Sequence, residues 1–254
     1  MPPPTPFLLE IAANSVESAL AAHEGGASRV ELCSALELGG LTPSYGTIVI
    51  VRKQASTLPV YVLIRPRAGD FVYTDAEMET MRLDIEECGR LECAGVVLGV
   101  LAPDGKVEVG RCRALVDVAH RHHMGVTFHR AFDLVPDQAQ ALEDIISIGG
   151  VERVLTSGGR RTALEGAPAI RALVERATDR VGIMAGAGIT AENIRQVAEE
   201  SGVVEIHASA KQELPSSMRW VPADSLGMDG GEIRSNVDEI RAMMKAVVGG
   251  VCIQ

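Results

Sequence analysis

Aromatic side chains are scarce in this sequence: Phe, Trp and Tyr together make up 3% of it, and there is a single Trp. The core of a chain in which 46% of the residues are hydrophobic must therefore be packed mainly by Val, Ile, Leu and Ala. Strands rich in such residues are typical of parallel sheets that helices cover on both faces. The composition favours buried parallel strands clad in helices.

Features that mark several functional classes are also missing. There is no run of Lys or Arg, and the formal net charge of −10 opposes binding to the phosphates of nucleic acids. No apolar stretch reaches the ~18 residues that a membrane-spanning helix needs. The Pro-rich start has neither the basic nor the apolar region of a secretory signal, and we expect residues 1–6 to be a disordered tail.

Cysteine is present without the spacing of a disulfide framework or a structural zinc site. The count is five, an odd number, and no C-x-x-C motif occurs. Reduced thiols are typical of a cytoplasmic or nuclear compartment. The cysteines are Cys33, Cys88, Cys93, Cys112 and Cys252.

Strand-like and helix-like segments alternate along the whole chain. Eight such pairs in ~250 residues predict a single-domain (β/α)8 TIM barrel over residues 7–254. The alternative is an open doubly wound sheet, which would require a G-x-G-x-x-G loop where this chain has Ala12 to Ser15. The predicted strands are 7–12, 29–34, 59–65, 95–101, 126–133, 153–157, 181–185 and 203–208, and the predicted helices are 16–24, 44–55, 75–90, 110–122, 136–148, 167–177, 191–200 and 236–248.

Polar residues gather where the predicted strands end. The fifth strand, for example, begins with Val126 and reaches His129, Arg130 and Asp133. Active sites of TIM barrels lie at the carboxyl ends of the strands, and charged groups are costly inside a barrel unless they pair. We predict a catalytic group there, with an internal salt-bridge layer as the alternative. The predicted catalytic residues are Glu10, Glu31, Arg65, His129, Glu205 and His207.

Small residues follow the sixth, seventh and eighth strands, where barrels commonly bind phosphate through exposed backbone N–H groups. Arg67 follows Arg65 with the same parity, and two guanidinium groups suit an anion. The alternative is that the glycines only form tight turns. The predicted anion-binding residues are Arg67, Gly158, Gly186, Gly188 and Ser209.

Soft or borderline metal donors also occur on the predicted strands. Cys33, His129, His207 and Met184 suit Cu(I) or Zn(II), with Cys33 the candidate metal ligand. These residues come from separate strands, so no spacing links them. The alternative for Cys33 is packing, because free cysteines are often buried.

The segment 211–231 is longer than the other connections and starts beside the predicted site. Its Pro and Gly residues predict that it lacks long regular elements. We expect it to fold over the mouth with Trp220 packed near the rim, Met218 and Leu226 as apolar anchors and Arg219 as a donor. A subunit contact or disorder is the alternative.

These motifs together resemble the CutC family, known as copper homeostasis proteins. The resemblance covers about residues 7–220. It implies a barrel, a cytoplasmic location, a role in copper handling with Cu(I) as the metal and no organic cofactor, and a homo-oligomer, either a dimer or a tetramer. The matching motifs are GASRVELCS (26–34), GGLTPS (39–44), IRPRAGDF (64–71), VTFHRAFD (126–133), RVLTSG (153–158) and MAGAGI (184–189).

The chain departs from the family where a two-thiolate copper site would form. Many relatives carry a Cys two positions after the glutamate of the first strand, where this chain has Ala12. Two functional hypotheses follow: direct Cu(I) binding with Cys33, and an enzyme acting on a small phosphorylated or carboxylated substrate. In the enzyme, Arg65 and Arg67 would hold the anion, and His129 or Glu205 would move a proton. A barrel that serves only as an interaction platform would not explain the charged interior.

Overall fold

The structure is a computed structural model that describes residues 7–220, 223–224, 227 and 230–248. Eight parallel strands form a closed barrel in sequence order, and helices surround it, which confirms the predicted TIM barrel. The strands are β1 Leu8–Ala13, β2 Arg29–Leu32, β3 Val60–Leu63, β4 Gly95–Leu98, β5 Gly125–Phe128, β6 Arg153–Thr156, β7 Gly182–Gly186 and β8 Glu205–Ala208. The helices are α1 Val16–Gly25, α2 Tyr45–Gln54, α3 Asp75–Arg90, α4 Val109–Arg121, α5 Gln138–Ile148, α6 Ala167–Ala177, α7 Ile194–Ser201 and α8 Val237–Val248.

Side-chain caps fix where the helices begin. Ser15 and Ser44 cap α1 and α2, and Thr74 forms a capping box with Glu77 at the start of α3. The prediction that α5 starts at Pro136 is wrong. The carboxylate of Asp137 accepts hydrogen bonds from two N–H groups of the next turn, so the helix begins at Gln138.

The strand predicted over 126–133 ends earlier, at Phe128. A 3-10 turn, Arg130–Leu134, follows it, so the side-chain alternation expected beyond Phe128 does not hold. The carboxylate of Asp133 pairs with Arg130 and accepts hydrogen bonds from Ser157 and Gly159. These two charged residues therefore join the loop after β5 to the loop after β6.

Alternate residues of each strand face the interior of the barrel, and several of those at its amino-terminal end are charged. Arg29 pairs with both Glu10 and Glu205, and Arg153 also pairs with Glu205, at 3.0 Å. Arg153 and Arg29 both lie over the ring of Tyr61. The salt-bridge layer that was the alternative interpretation is thus real, and it lies below the cavity described next.

The segment after β8 folds as a short antiparallel pair. Strand β9, Lys211–Leu214, pairs with β10, Glu232–Ser235. The prediction that Trp220 packs near the rim is wrong, because its side chain is 71% exposed; Met218 is also exposed. Leu226 and the predicted tail 1–6 lie outside the described residues. None of the described helices is long and apolar enough to cross a membrane.

Candidate functional site

A cavity of about 950 Å³ opens at the carboxyl ends of the barrel strands. Residues of β1, β2, β3, β6 and β8 line it, together with the residues just after β5, the loops after β7 and β8 and the first turns of α8. The closed parallel barrel converges these strand ends, so residues far apart in sequence meet at one opening. The predicted residues that line it are Glu31, Cys33, Arg65, His129, Gly188, His207 and Ser209.

The floor of the cavity is a carboxylate–imidazole–carboxylate group. His207 Nδ1 lies 2.8 Å from a carboxylate oxygen of Glu10, and its Nε2 lies 3.4 Å from one of Glu31. Glu10 is fully buried beneath His207 and also accepts a hydrogen bond from Arg29. Only the upper two members, Glu31 and His207, face the cavity.

Burial and neighbouring charges shift the pKa values of Glu10, Glu31 and His207 in different directions. Burial raises the pKa of Glu31 to about 7, with His207 acting in the opposite direction. Burial also acts to raise the pKa of Glu10, but the hydrogen bond with His207 and the charge of Arg29 bring it down to about 2. Burial acts to lower the pKa of His207, yet its bond to Glu10 and the nearby Glu31 raise it. Near neutral pH, Glu10 is therefore ionised, and Glu31 is poised to take or give a proton.

The pKa of His129, unlike that of His207, is lowered. It is 5% exposed, and burial lowers its pKa to about 3, so the imidazole is neutral. Its Nδ1 accepts a hydrogen bond from the N–H of Ala131, which places the remaining proton on Nε2. Nε2 has no hydrogen-bond partner among the described residues. His129 is thus a neutral residue on the cavity wall, with a buried and unpaired N–H donor.

Arg65 lies beside His129 and is largely occupied. Its Nη1 donates to the carbonyls of Leu38 and Gly40, and its Nη2 donates to that of Gly69, each at 2.8–2.9 Å. The guanidinium also lies over the ring of Phe71. Nε is buried and lacks a partner among the described residues. Arg65 therefore orders two loops and keeps one buried N–H unpaired, rather than the paired donors expected from the sequence.

The loops after β7 and β8 form the opposite wall of the cavity. Ala187, Gly188 and Ala210 all have positive φ, at 94°, 67° and 45°. In the described part of the chain, the N–H groups of Gly188, Ser209 and Ala210 donate to no protein acceptor. Backbone strain at two alanines and free N–H groups at one place are typical of an anion-binding nest.

Other predicted residues lie elsewhere. Glu205 belongs to the salt-bridge layer below the cavity, because it sits two residues nearer the start of β8 than His207. Arg67 pairs with Glu77 and Asp70 and is not among the residues that line the cavity. These positions correct the expectation that Glu205 and Arg67 reach the mouth.

Two of the predicted anion-binding glycines lie where there is no room for a side chain. A Cβ at Gly158, whose φ is +68°, would come within 2.6 Å of the Gly166 carbonyl oxygen. A Cβ at Gly186 would come within 2.6 Å of Leu155. The tight-packing alternative therefore accounts for Gly158 and Gly186, whereas Gly188 lies on the cavity wall.

The sequence reasoning passed over Arg29 and Arg153, which neutralise the buried carboxylates. The sequence alone could have identified Arg29, because it lies an even number of residues from Glu31 and Cys33 and therefore faces the same side of its strand. Ala187 and Ala210 were missed for another reason. Both adopt a left-handed backbone conformation, which is rare for alanine and which the residue type therefore does not predict.

The donor set at the mouth does not suit Cu(I). Glu10, Glu31 and His207 have ligand atoms within 4.8 Å of one another, but two oxygens and a nitrogen favour harder or borderline ions. Burial, with the charges of Glu31 and Glu37, raises the pKa of the Cys33 thiol, so the thiol stays protonated. The sulfur of Met184 accepts a hydrogen bond from Arg29 in the lower layer.

Comparisons with known proteins agree on one family. The CutC family model matches residues 7–212. A curated relative from Xanthomonas axonopodis pv. citri, named as a CutC family protein, is 55% identical over 94% of this chain and 98% of its own. One with the same name from Xylella fastidiosa is 50% identical, over 95% and 89%. A solved structure from Streptococcus agalactiae, named for copper homeostasis and CutC, is 35% identical with a TM-score of 0.75, over 79% of this chain and 97% of that one.

Proposed function

This chain belongs to the CutC family, and from the geometry of its cavity we propose that it is an enzyme that moves a proton beside a carbonyl group of a small anionic substrate. One observation carries the proposal. Two titratable groups on the same cavity have pKa values displaced in opposite directions, about 7 for Glu31 and about 3 for His129. A carboxylate near neutrality with a neutral imidazole donor is a recurring arrangement for proton abstraction next to a carbonyl.

Each group has a role in that reaction. Glu31 takes the proton from the carbon next to the carbonyl, and the electron pair of the broken C–H bond moves onto the carbonyl oxygen. The Nε2–H of His129 and the Nε–H of Arg65 stabilise the resulting oxyanion, as buried donors without other partners do best. Glu31 then returns its proton. His207, held by Glu10, fixes the orientation of Glu31.

The opposite wall supplies the second recognition element. The free N–H groups of Gly188, Ser209 and Ala210 suit a phosphate or carboxylate oxygen. A substrate with a carbonyl at one end and an anionic group at the other would contact both walls. This supports the phosphorylated or carboxylated substrate expected from the sequence.

Exchange of carbon-bound hydrogen tests this function. In D2O at neutral pH, the wild-type protein is expected to catalyse deuterium incorporation next to the carbonyl of dihydroxyacetone phosphate or pyruvate, measured by proton NMR. Glu31→Gln should slow it by about 100-fold or more, because general base catalysis contributes at least that much. The matched control is Glu37→Gln, which changes an exposed carboxylate nearby and should retain the rate. Equal rates for Glu31→Gln and wild type, or no exchange of either compound by wild type, would contradict the proposal.

Copper handling is the second candidate function. The family and the name of the Streptococcus agalactiae relative favour it, and Cys33 shares the cavity with His129 and His207. The protonated thiol and the replacement of the second Cys by Ala12 weigh against a Cu(I) site at the mouth. Anaerobic titration with Cu(I) against a colorimetric chelator tests this location, since Cys33→Ser should retain less Cu(I) than the wild type and equal retention by the two proteins would contradict a site at the mouth.

We also propose a cytoplasmic homo-oligomer. Four free cysteines among the described residues support a reducing compartment. The exposed side chains of Leu38, Tyr45 and Trp220 offer apolar surface for a subunit contact. Analytical ultracentrifugation of the wild-type protein at micromolar concentration is expected to show a dimer or tetramer. A single monomer peak would be evidence against it.

A further inference from the structure

The cavity wall carries an arginine, Arg130, that has no part in the proton transfer proposed above. It lies just after β5, and its side chain is 44% exposed. Its Nε pairs with a carboxylate oxygen of Asp133 at 2.7 Å, and its Nη2 donates to the hydroxyl of Ser157 at 2.9 Å. Its Nη1 donates to no residue in the part of the chain that the structure describes. The guanidinium is therefore held by two contacts and keeps one nitrogen free.

The loop after β5 does not need Arg130 to satisfy Asp133. The carboxylate also accepts hydrogen bonds from the hydroxyl of Thr156 at 2.6 Å and from the N–H groups of Ser157 and Gly159 at 3.0 and 3.1 Å. Both of its oxygens have a donor other than the arginine. Asp133 therefore orients Arg130, and the free nitrogen of the guanidinium is left for a ligand.

The loop after β6 connects Arg130 with the anion-binding nest in the loops after β7 and β8. At the start of this loop, Ser157 contacts the guanidinium of Arg130. Further along it, the N–H of Ala163 donates to the carbonyl of Ala187, a residue of the nest, at 3.0 Å. One connecting loop thus supports both the arginine and the nest.

Further positive charge surrounds this part of the mouth, although the chain as a whole has a formal net charge of −10. Lys211 follows the nest directly and lines the cavity. The loop after β6 exposes two more arginines, Arg160 and Arg161. None of these three side chains forms an ion pair with a described residue. A local excess of positive charge favours a ligand that carries more than one negative charge.

The acidic residues of α8 that line the cavity are engaged by other groups. Asp238 pairs with Arg241 at 3.3 Å, and the carboxylate of Glu239 accepts a hydrogen bond from the N–H of Ala191 at 2.9 Å. Both belong to a helix that packs against α1 and α7 rather than beside β5. Their charges therefore do not neutralise Arg130.

We propose that Arg130 is the charged member of the anion site and that this site takes a phosphate group, so that the substrate is a phosphorylated carbonyl compound. Only the carbonyl part of this statement rests on the proposed function. A phosphate group has three acceptor oxygens and a charge of about −1.5 to −2 near neutral pH, whereas a carboxylate has two oxygens and one charge. The free N–H groups of the nest and Nη1 of Arg130 supply donors for three oxygens.

Binding of inorganic phosphate, measured by isothermal titration calorimetry at about pH 8, tests the site without any turnover. The wild type is expected to bind one phosphate per chain and to bind acetate more weakly. Arg130→Met should weaken phosphate binding by about 10-fold or more, because a hydrogen bond to a charged group contributes about that much. The matched control is Arg67→Met. Arg67 also pairs with a carboxylate three residues further on, that of Asp70, but it does not line the cavity, so this variant should bind phosphate as the wild type does.

A second variant separates loss of the ligand contact from loss of the fold. Arg130→Lys keeps the positive charge and should recover part of the affinity that Arg130→Met loses. Equal phosphate affinities of Arg130→Met and wild type, no phosphate binding by the wild type, or equal binding of acetate and phosphate would each overturn the proposal. Phosphate binding that depends on Arg130, in a protein that exchanges no carbon-bound hydrogen, would support this site and refute only the proton transfer.

Discussion

Replacing Arg29 by Met is expected to lower the free energy of unfolding by about 3–5 kcal/mol. Arg29 is 5% exposed and bonds to Glu10, which is fully buried, and to Glu205. Removing the guanidinium leaves carboxylates without their counter-charge in a medium of low polarity, where an unpaired charge is costly. For a chain of this length the melting temperature should fall by about 10 °C.

Urea denaturation and calorimetry measure this effect. The matched control is Arg90→Met, which removes a guanidinium that pairs with Glu86 and Glu87 on the exposed face of α3. That variant should stay within about 0.5 kcal/mol of wild type. Adding Glu10→Gln to Arg29→Met should recover part of the loss, because it removes one of the stranded charges. A cost below about 1 kcal/mol for Arg29→Met would show that the lower layer is not sealed from water.

Replacing Glu31 by Gln is expected to change stability in a way that depends on pH. The folded state holds the proton of Glu31 up to a pKa of about 7, whereas the unfolded chain releases it near 4.5. Between these two values the folded state binds more protons, so the free energy of unfolding of the wild type falls as the pH rises. The accumulated cost is about 3 kcal/mol above pH 7.

Glu31→Gln lacks this cost. Relative to wild type, its free energy of unfolding should therefore shift in favour of the variant by about 3 kcal/mol between pH 4.5 and pH 8. Denaturation curves at half-unit intervals measure the difference, and Glu37→Gln is the control on an exposed carboxylate. The stabilising effect of the low pKa of Glu10 disappears only as the pH falls from 4.5 towards 2, outside this range. A constant difference between Glu31→Gln and wild type would show that Glu31 ionises in the folded state as readily as in water.

Glu31 and His129, on which the proposed function rests, were both predicted as site residues, but in other roles than the ones proposed from the structure. His129 was expected to move a proton, yet its burial makes it a neutral donor. Glu205 and Glu31 were expected to serve together, yet the register of β8 against β1 places Glu205 one layer lower. A shift of two residues along a strand moves a side chain by ~7 Å, which separates a cavity wall from a salt-bridge layer.

The pattern of apolar strands and capped helices by itself determined the barrel, because the hydrophobic periodicity and the capping residues of each element lie within or next to that element in the sequence. The convergence of polar strand ends at one mouth followed from that fold. Only the tertiary structure decided which carboxylate pairs with which arginine and which imidazole stays neutral. Those outcomes depend on burial and on distances of a few ångströms between segments far apart in the chain, and a charge or a pKa is fixed by such surroundings rather than by the residue type.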